Sequence, residues 1–361
     1  MRDRHVFVRH AAGTPDASPV RRRRFGRSGG RPAALAVALL CGALAVAGHP
    51  AAAAAQTTAA DPAAGADASG PVQPPASDVL PSLMRSLVAH YDFEHPVSGN
   101  PAQEQDRGFS GTVIDLINGG AAMRVQDGAH RRSATSMQAQ QVNPTVLGND
   151  DWKAGIYSPT GVQSLNAFNG VRETTIMGWF KMTGQNPSPN SNTVNPDDFY
   201  GAIGLAGVLS GDSDGHAVRA LLELINVSGE LRLVALGRRI DGSSSQTLAA
   251  SAPWQTLLPP NEWVFLAATF DFDSGTMALY RNGKPLPGFY AVAGDPWGVA
   301  GPGPHYASAT DPRGIKIGGS FPQNTRETNP CNCRMDSLMF LDRAVLPAEV
   351  LQHYRYVTGR P

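Results

Sequence analysis

The sequence predicts an all-β fold, a two-sheet antiparallel β-sandwich or jelly roll with one short C-terminal helix. Short apolar runs with period-two alternation recur from Leu87 onward. Clusters of Gly, Asn, Asp and Ser separate them, as turns do. Helical periodicity is confined to the last segment.

The folded part is expected to begin well after residue 1. Residues 21 to 31 read RRRRFGRSGGR, followed by the apolar stretch Pro32–Gly48 and an Ala-rich site. That order predicts a secretory signal peptide over residues 1–55. The apolar stretch is short against the roughly 20 residues of a membrane span. Arg22-Arg23-Arg24-Phe25 with Arg27 reads equally as a twin-arginine export signal or as an ordinary positive n-region. Leu40 precedes Cys41 where a lipoprotein signal has a small residue, which argues against a lipid anchor. Residues 56–86 are rich in Ala, Pro, Gly and Asp and lack apolar periodicity, which predicts a disordered linker. The jelly-roll domain is expected over residues 87–358.

Within that domain, Leu87–Glu94 (LVAHYDFE) and Thr174–Met182 (TTIMGWFKM) read as strands. Ala220–Val227 and Glu230–Gly237 flank Ser228-Gly229, a two-residue hairpin turn. In the next run, Val264, Leu266, Ala268 and Phe270 face one way, and Trp263, Phe265, Ala267 and Thr269 the other. A strand apolar on both faces belongs between two packed layers. Asp273-Ser274-Gly275 turns the chain, and Asn282-Gly283 closes the hairpin that follows. Gly314–Gly319 and Met335–Asp342 are short strands. Leu346–Val357 is helical, with Pro347 in its first turn and Val350, Leu351, Tyr354 and Val357 on one face. Thr183–Asp198 and Gly288–Pro312 are polar and are expected as long loops.

Composition narrows the partners. The first 55 residues hold nine Arg and two Asp. Without them, 21 of the 30 basic and 28 of the 30 acidic residues remain, a formal net charge of −7. Nucleic acid is excluded on that ground, because phosphate binding needs a basic face. No later segment is long and apolar enough to span a membrane. Cys331 and Cys333 remain after the signal. On a strand, positions i and i+2 lie roughly 6.5 to 7 Å apart, at the edge of bridging range. That spacing favours two packed thiols over a strained bridge.

The order LVAHYDFE, then D-x-x-x-S-G from Asp106 to Gly111, TIMGWFKMTG, NEWVFLAATFD…GTMALYRNGKPL, IKIGGS and MDSLMFLDRAVLPAEVLQHY resembles the laminin G-like jelly roll. That family belongs to the concanavalin A-like lectin/glucanase superfamily. The resemblance covers Leu87 to Val357 and speaks to fold more than to function, because this fold hosts lectins, adhesion modules and glycosidases. It implies a structural Ca²⁺ shared by Asp106 and Asp336, with backbone carbonyls completing the shell. Against that stands a plainer reading, in which Asp106 caps a turn and Asp336 pairs with Arg334 or Arg343.

Catalytic patterns are weak. Glycoside hydrolysis needs two carboxylates facing each other across the substrate. Glu223 stands alone in its strand, and Asp271 and Asp273 sit in a turn. No G-x-S-x-G elbow occurs. The expectation is therefore a secreted binding module without catalytic residues. A hydrolase or lyase on the same fold and an adhesion module without a small ligand are the alternatives. Ligand contact is assigned to Trp152, Tyr200, Asp214, His216, Trp297 and Tyr306 in loops. The expected partner is a glycan or a surface protein, and the expected state is a monomer.

Overall fold

The computed structural model describes residues 78–141, 151–186, 202–209, 218–238, 245–291, 313–319 and 329–360. The predicted signal peptide and the linker up to residue 77 lie outside the described residues. The early strands are β1 (Leu87–Tyr91), β2 (Pro96–Val97), β3 (Asn100–Glu104), β4 (Ile114–Ile117), β5 (Arg124–Val125), β6 (Ser136–Ala139) and β7 (Lys153–Tyr157). The long central strands follow: β8 (Glu173–Met182), β9 (Ile203–Leu209), β10 (Val218–Val227), β11 (Glu230–Arg238) and β12 (Ser245–Ala250). After a helical turn, α1 (Trp254–Leu257), come β13 (Val264–Asp271), β14 (Thr276–Arg281), β15 (Lys284–Pro285) and β16 (Gly288–Tyr290). The chain closes with β17 (Gly314–Ile317), β18 (Asn329–Pro330), β19 (Cys333–Leu341) and α2 (Pro347–Thr358).

Two sheets result. The first has the order β15-β14-β13-β8-β19-β6-β5, with β1 also on β19. The second runs β16-β12-β11-β10-β9-β17-β7-β4-β3-β2, with β18 also on β9. Apart from β18 on β9, the pairings between these strands are antiparallel. This is the predicted two-sheet β-sandwich of jelly-roll type with a short C-terminal helix. Among the described residues both strand orders end on strands of two or three residues, while the five-residue β1 borders the first sheet with β19 as its single strand partner.

The alternation of β13 explains the layering. Val264, Leu266, Ala268 and Phe270 enter the large core, with Leu222, Leu224, Leu233 and Ala235 from the second sheet. Phe265 and Ala267 face outward and are buried all the same. They pack with Trp179, Val350, Tyr354 and Val357, so α2 forms the outer layer. The buried face of α2 carries His353 in place of the predicted Leu351, which is half-buried. Leu351 instead lies over the Asn282-Gly283 turn, its Cα 3.0 Å from where a Cβ on Gly283 would stand.

Both hairpin turns use the left-handed backbone that their residues favour. Ser228 and Gly229 have φ 56° and 87°, and Asn282 and Gly283 have φ 50° and 78°. The Asn282 side chain also accepts the Phe265 N–H at 3.0 Å.

The structure corrects three further expectations. Asp78–Ser86, grouped by composition with the linker, packs on the domain as a strap containing the 3-10 helix Pro81–Ser86. Val79 and Leu83 are buried with Trp179 in the outer layer. Cys331 and Cys333 form a disulfide. Their Cα atoms are 5.2 Å apart, shorter than strand spacing, because β19 starts only at Cys333 and the chain bends at Asn332. The stretch expected as a loop from Gly288 opens with β16, paired to β12.

Candidate functional site

Strands of the second sheet present alternate residues to its outer face. On β10, Leu222 and Leu224 enter the core, which turns Glu223 outward. On β17, Ile315 and Ile317 enter the core and Lys316 points out. Strand β9 lies between them and offers Gly204 and Gly207 opposite these residues. A side chain at Gly207 would meet Leu221 at 2.2 Å and Lys316 at 3.4 Å. The glycine therefore lets Lys316 reach across β9 to Glu223, where Nζ and Oε1 are 2.6 Å apart. Both side chains are almost fully enclosed. Lys153, on neighbouring β7, is enclosed too. Burial, with Lys316 beside it, pulls Lys153 down to about 8, against the attraction of Asp151.

This charged strip was not anticipated. The signal that could have found it is a single charge inside an otherwise apolar strand, in LLELINV and GIKIGG. In the sequence Glu223 stands alone in its strand, about ninety positions from Lys316.

The predicted ligand residues group by topology. Tyr200 precedes β9, Asp214 and His216 lie between β9 and β10, and Trp297 and Tyr306 lie between β16 and β17. All five are outside the described residues. Each belongs to a connection that leads into a strand of the second sheet. Trp152 is described, and it packs against the core as a partly buried plug. Its backbone pairs with Gln140 at 2.8 and 3.0 Å. A side chain on Gly119 would come within 2.6 Å of its indole, so that glycine lets the ring sit down.

Asp106 and Asp336 sit in separate hydrogen-bond sets. Asp106 Oδ1 accepts the N–H groups of His90 (2.7 Å) and Gly108 (2.6 Å). Its Oδ2 accepts Ser110 Oγ–H (2.5 Å) and the Thr112 N–H (3.2 Å). Asp336 accepts the Ala129 N–H (2.8 Å) and the hydroxyls of Ser133 (2.6 Å) and Ser337 (3.1 Å). Burial pushes Asp336 up to about 7 against these donors. Among the described residues Asp106 and Asp336 share no hydrogen-bond partner, and each carboxylate is satisfied by donors of its own. The two arginines weighed as partners of Asp336 are engaged elsewhere, Arg334 with Asp127 and Arg343 with Glu349.

The carboxylates weighed for hydrolysis are likewise in structural use. Asp271 Oδ1 accepts the N–H groups of Asp273 and Ser274, each at 3.0 Å, and so caps the turn. Asp273 pairs with Arg172 and Glu230 with Arg232.

No family model matches the chain, and no curated protein matches it. Among solved structures it is similar to a Trypanosoma rangeli sialidase bound to 2,3-difluorosialic acid, at 11% identity and a TM-score of 0.40. That match covers 76% of this chain and 33% of the sialidase. It is also similar to botulinum neurotoxin type C in a structure concerned with two ganglioside molecules, at 11% identity and a TM-score of 0.45, over 77% of this chain and 52% of that one. A heptameric pentraxin from Limulus polyphemus matches at 14% identity and a TM-score of 0.33, over 54% of this chain and 75% of its own. No helix among the described residues is long and apolar enough to cross a membrane.

Proposed function

We propose that the chain is an exported, laminin G-like jelly-roll module that binds a glycan or a surface protein and does not hydrolyse it. One observation carries the reading: among the described residues, the acidic side chains weighed for hydrolysis are held in ion pairs or turns. Two carboxylates flanking a substrate would have to be free to hold and release a proton. Binding falls to the connections that feed the second sheet, which carry Tyr200, Trp297 and Tyr306. Such rings stack on sugar faces, and loops on a rigid scaffold are where recognition usually sits.

The test is a glycan array run beside hydrolysis assays on plant, fungal and bacterial polysaccharides. Binding that Trp297→Ala and Tyr306→Ala each weaken at unchanged melting temperature supports the module. Sugar release abolished by a single carboxylate substitution overturns it in favour of a hydrolase. Silence in both assays favours an adhesion module without a small ligand.

A further inference from the structure

The chain passes from the first sheet to the second between β1 and β2, and three side chains of metal-ligand type converge at that passage. Asp92 follows β1, His95 precedes β2, and Glu104 ends β3. One ligand atom from each lies within 4.8 Å of the other two. His95 Nδ1 is 2.8 Å from Asp92 Oδ1, and the backbone N–H of His95 donates to Glu104 Oε1 at 2.9 Å. Phe93, buried between them in sequence, takes φ 60°, which a bulky residue rarely adopts. That turn swings Asp92 and His95 to the same side.

The three sites differ in exposure. The Glu104 side chain is fully enclosed, Asp92 nearly so, and His95 is 37% exposed. The group is therefore walled on one side and open to water on the other. Arg124 binds Glu104 through the far oxygen, Oε2, and leaves Oε1 turned to the cluster.

We propose that Asp92, His95 and Glu104 bind a divalent transition-metal ion of the zinc type, which ties the two sheets together where the chain crosses. One imidazole nitrogen with two carboxylate oxygens suits such an ion, whereas calcium takes oxygen ligands alone. Water on the open side completes the shell. The site is independent of Asp106, Asp336 and the loops of the second sheet, and of whatever the module binds.

The experiment uses the untagged full chain, stripped with chelator, dialysed and titrated with ZnCl₂ or CaCl₂ by calorimetry and thermal melting. Zinc should bind one per chain and raise the melting temperature by a few degrees at saturation. His95→Gln removes the exposed ligand with little risk to the fold, and Asp92→Asn is the second variant. Each should weaken zinc binding by roughly 10-fold or more, by analogy with the loss of groups around known metal centres. The idea is overturned if the wild-type chain takes no zinc. It is overturned equally if both variants keep full affinity, or if calcium binds and zinc does not.

Discussion

Trp179 is enclosed from three directions. Its ring centre lies 5.4 Å from Phe265, 5.8 Å from Tyr354 and 5.8 Å from His130. Trp179→Ala should cost about 3–5 kcal/mol in a denaturant melt, as for other large core truncations. A loss under about 1 kcal/mol would show that the ring does not hold this layer. His353 gives a pH test. Burial holds its imidazole down to about 3. The unfolded chain takes up a proton near 6.5 that the folded chain refuses. The stability that neutral His353 confers is therefore full above about pH 6.5 and lost as pH falls toward 3. Asp336, raised to about 7, acts in the opposite sense between about pH 4 and 7. Comparing His353→Gln with the parent cancels that second effect. The parent should lose a few kcal/mol more than the variant between pH 7 and 4, and parallel curves would refute it. Such residues are hard to read in sequence. HYRYV shows a histidine among polar and aromatic neighbours, and only the packing of Leu80 and Phe265 makes it a core group.

At the scale of elements, the strap Asp78–Ser86 decides where the folded chain starts. Asp78 reaches His90 Nε2 at 3.2 Å and accepts Ser337 Oγ–H at 3.2 Å. Burial alone would lower His90, and the carboxylates of Asp78, Asp92 and Asp106, Asp78 foremost, together raise the imidazole. Ser86 accepts the Asp342 N–H at 3.1 Å through its carbonyl. Limited proteolysis should leave a stable core beginning near Asp78, not Leu87. Leu83→Ala should destabilise by about 2–5 kcal/mol, and trimming back to Leu87 without loss of stability would contradict both statements. The strap is not legible in the sequence because its few apolar residues follow a Pro/Ala run and show no period. Strands with strong alternation and a turn signal at one end, such as β10, β11, β13 and β14, were legible. Asn100–Glu104, which reads NPAQE, was not, since it lacks apolar alternation and only Glu104 is fully buried. The charged strip was illegible for another reason. Glu223 and Lys316 are distant in sequence and meet only because glycines on β9 leave the space.

For the whole molecule, the two outer faces differ in one respect: only the second sheet's carries a buried ion pair among the described residues. One is sealed by α2 and the strap, and the other carries the enclosed Glu223, Lys316 and Lys153 beside a small apolar cluster of Ala202, Ile225, Val227, Val234 and Ala249. Cys331–Cys333 adds little to this architecture. It closes a very short loop, so the chain-entropy model gives it about 1.6 kcal/mol. Replacing both cysteines with Ala should lower stability by roughly 1–2 kcal/mol, and outright unfolding would mean the bridge is structural in some further way. The short terminal strands have a colloidal meaning. A long bare edge invites strands of other molecules to add on, the first step toward precipitation and fibres. Here Lys284–Pro285, Arg124–Val125, Pro96–Val97 and Gly288–Tyr290 offer almost no template. Two carry a proline that has no N–H to give. Exposed Phe289, on the longest of them, lies under the Arg232 guanidinium at 5.3 Å. The chain should stay dispersed at concentrations where edge-exposed sandwiches cloud, and Pro96→Val with Pro285→Val should shift light scattering toward self-association.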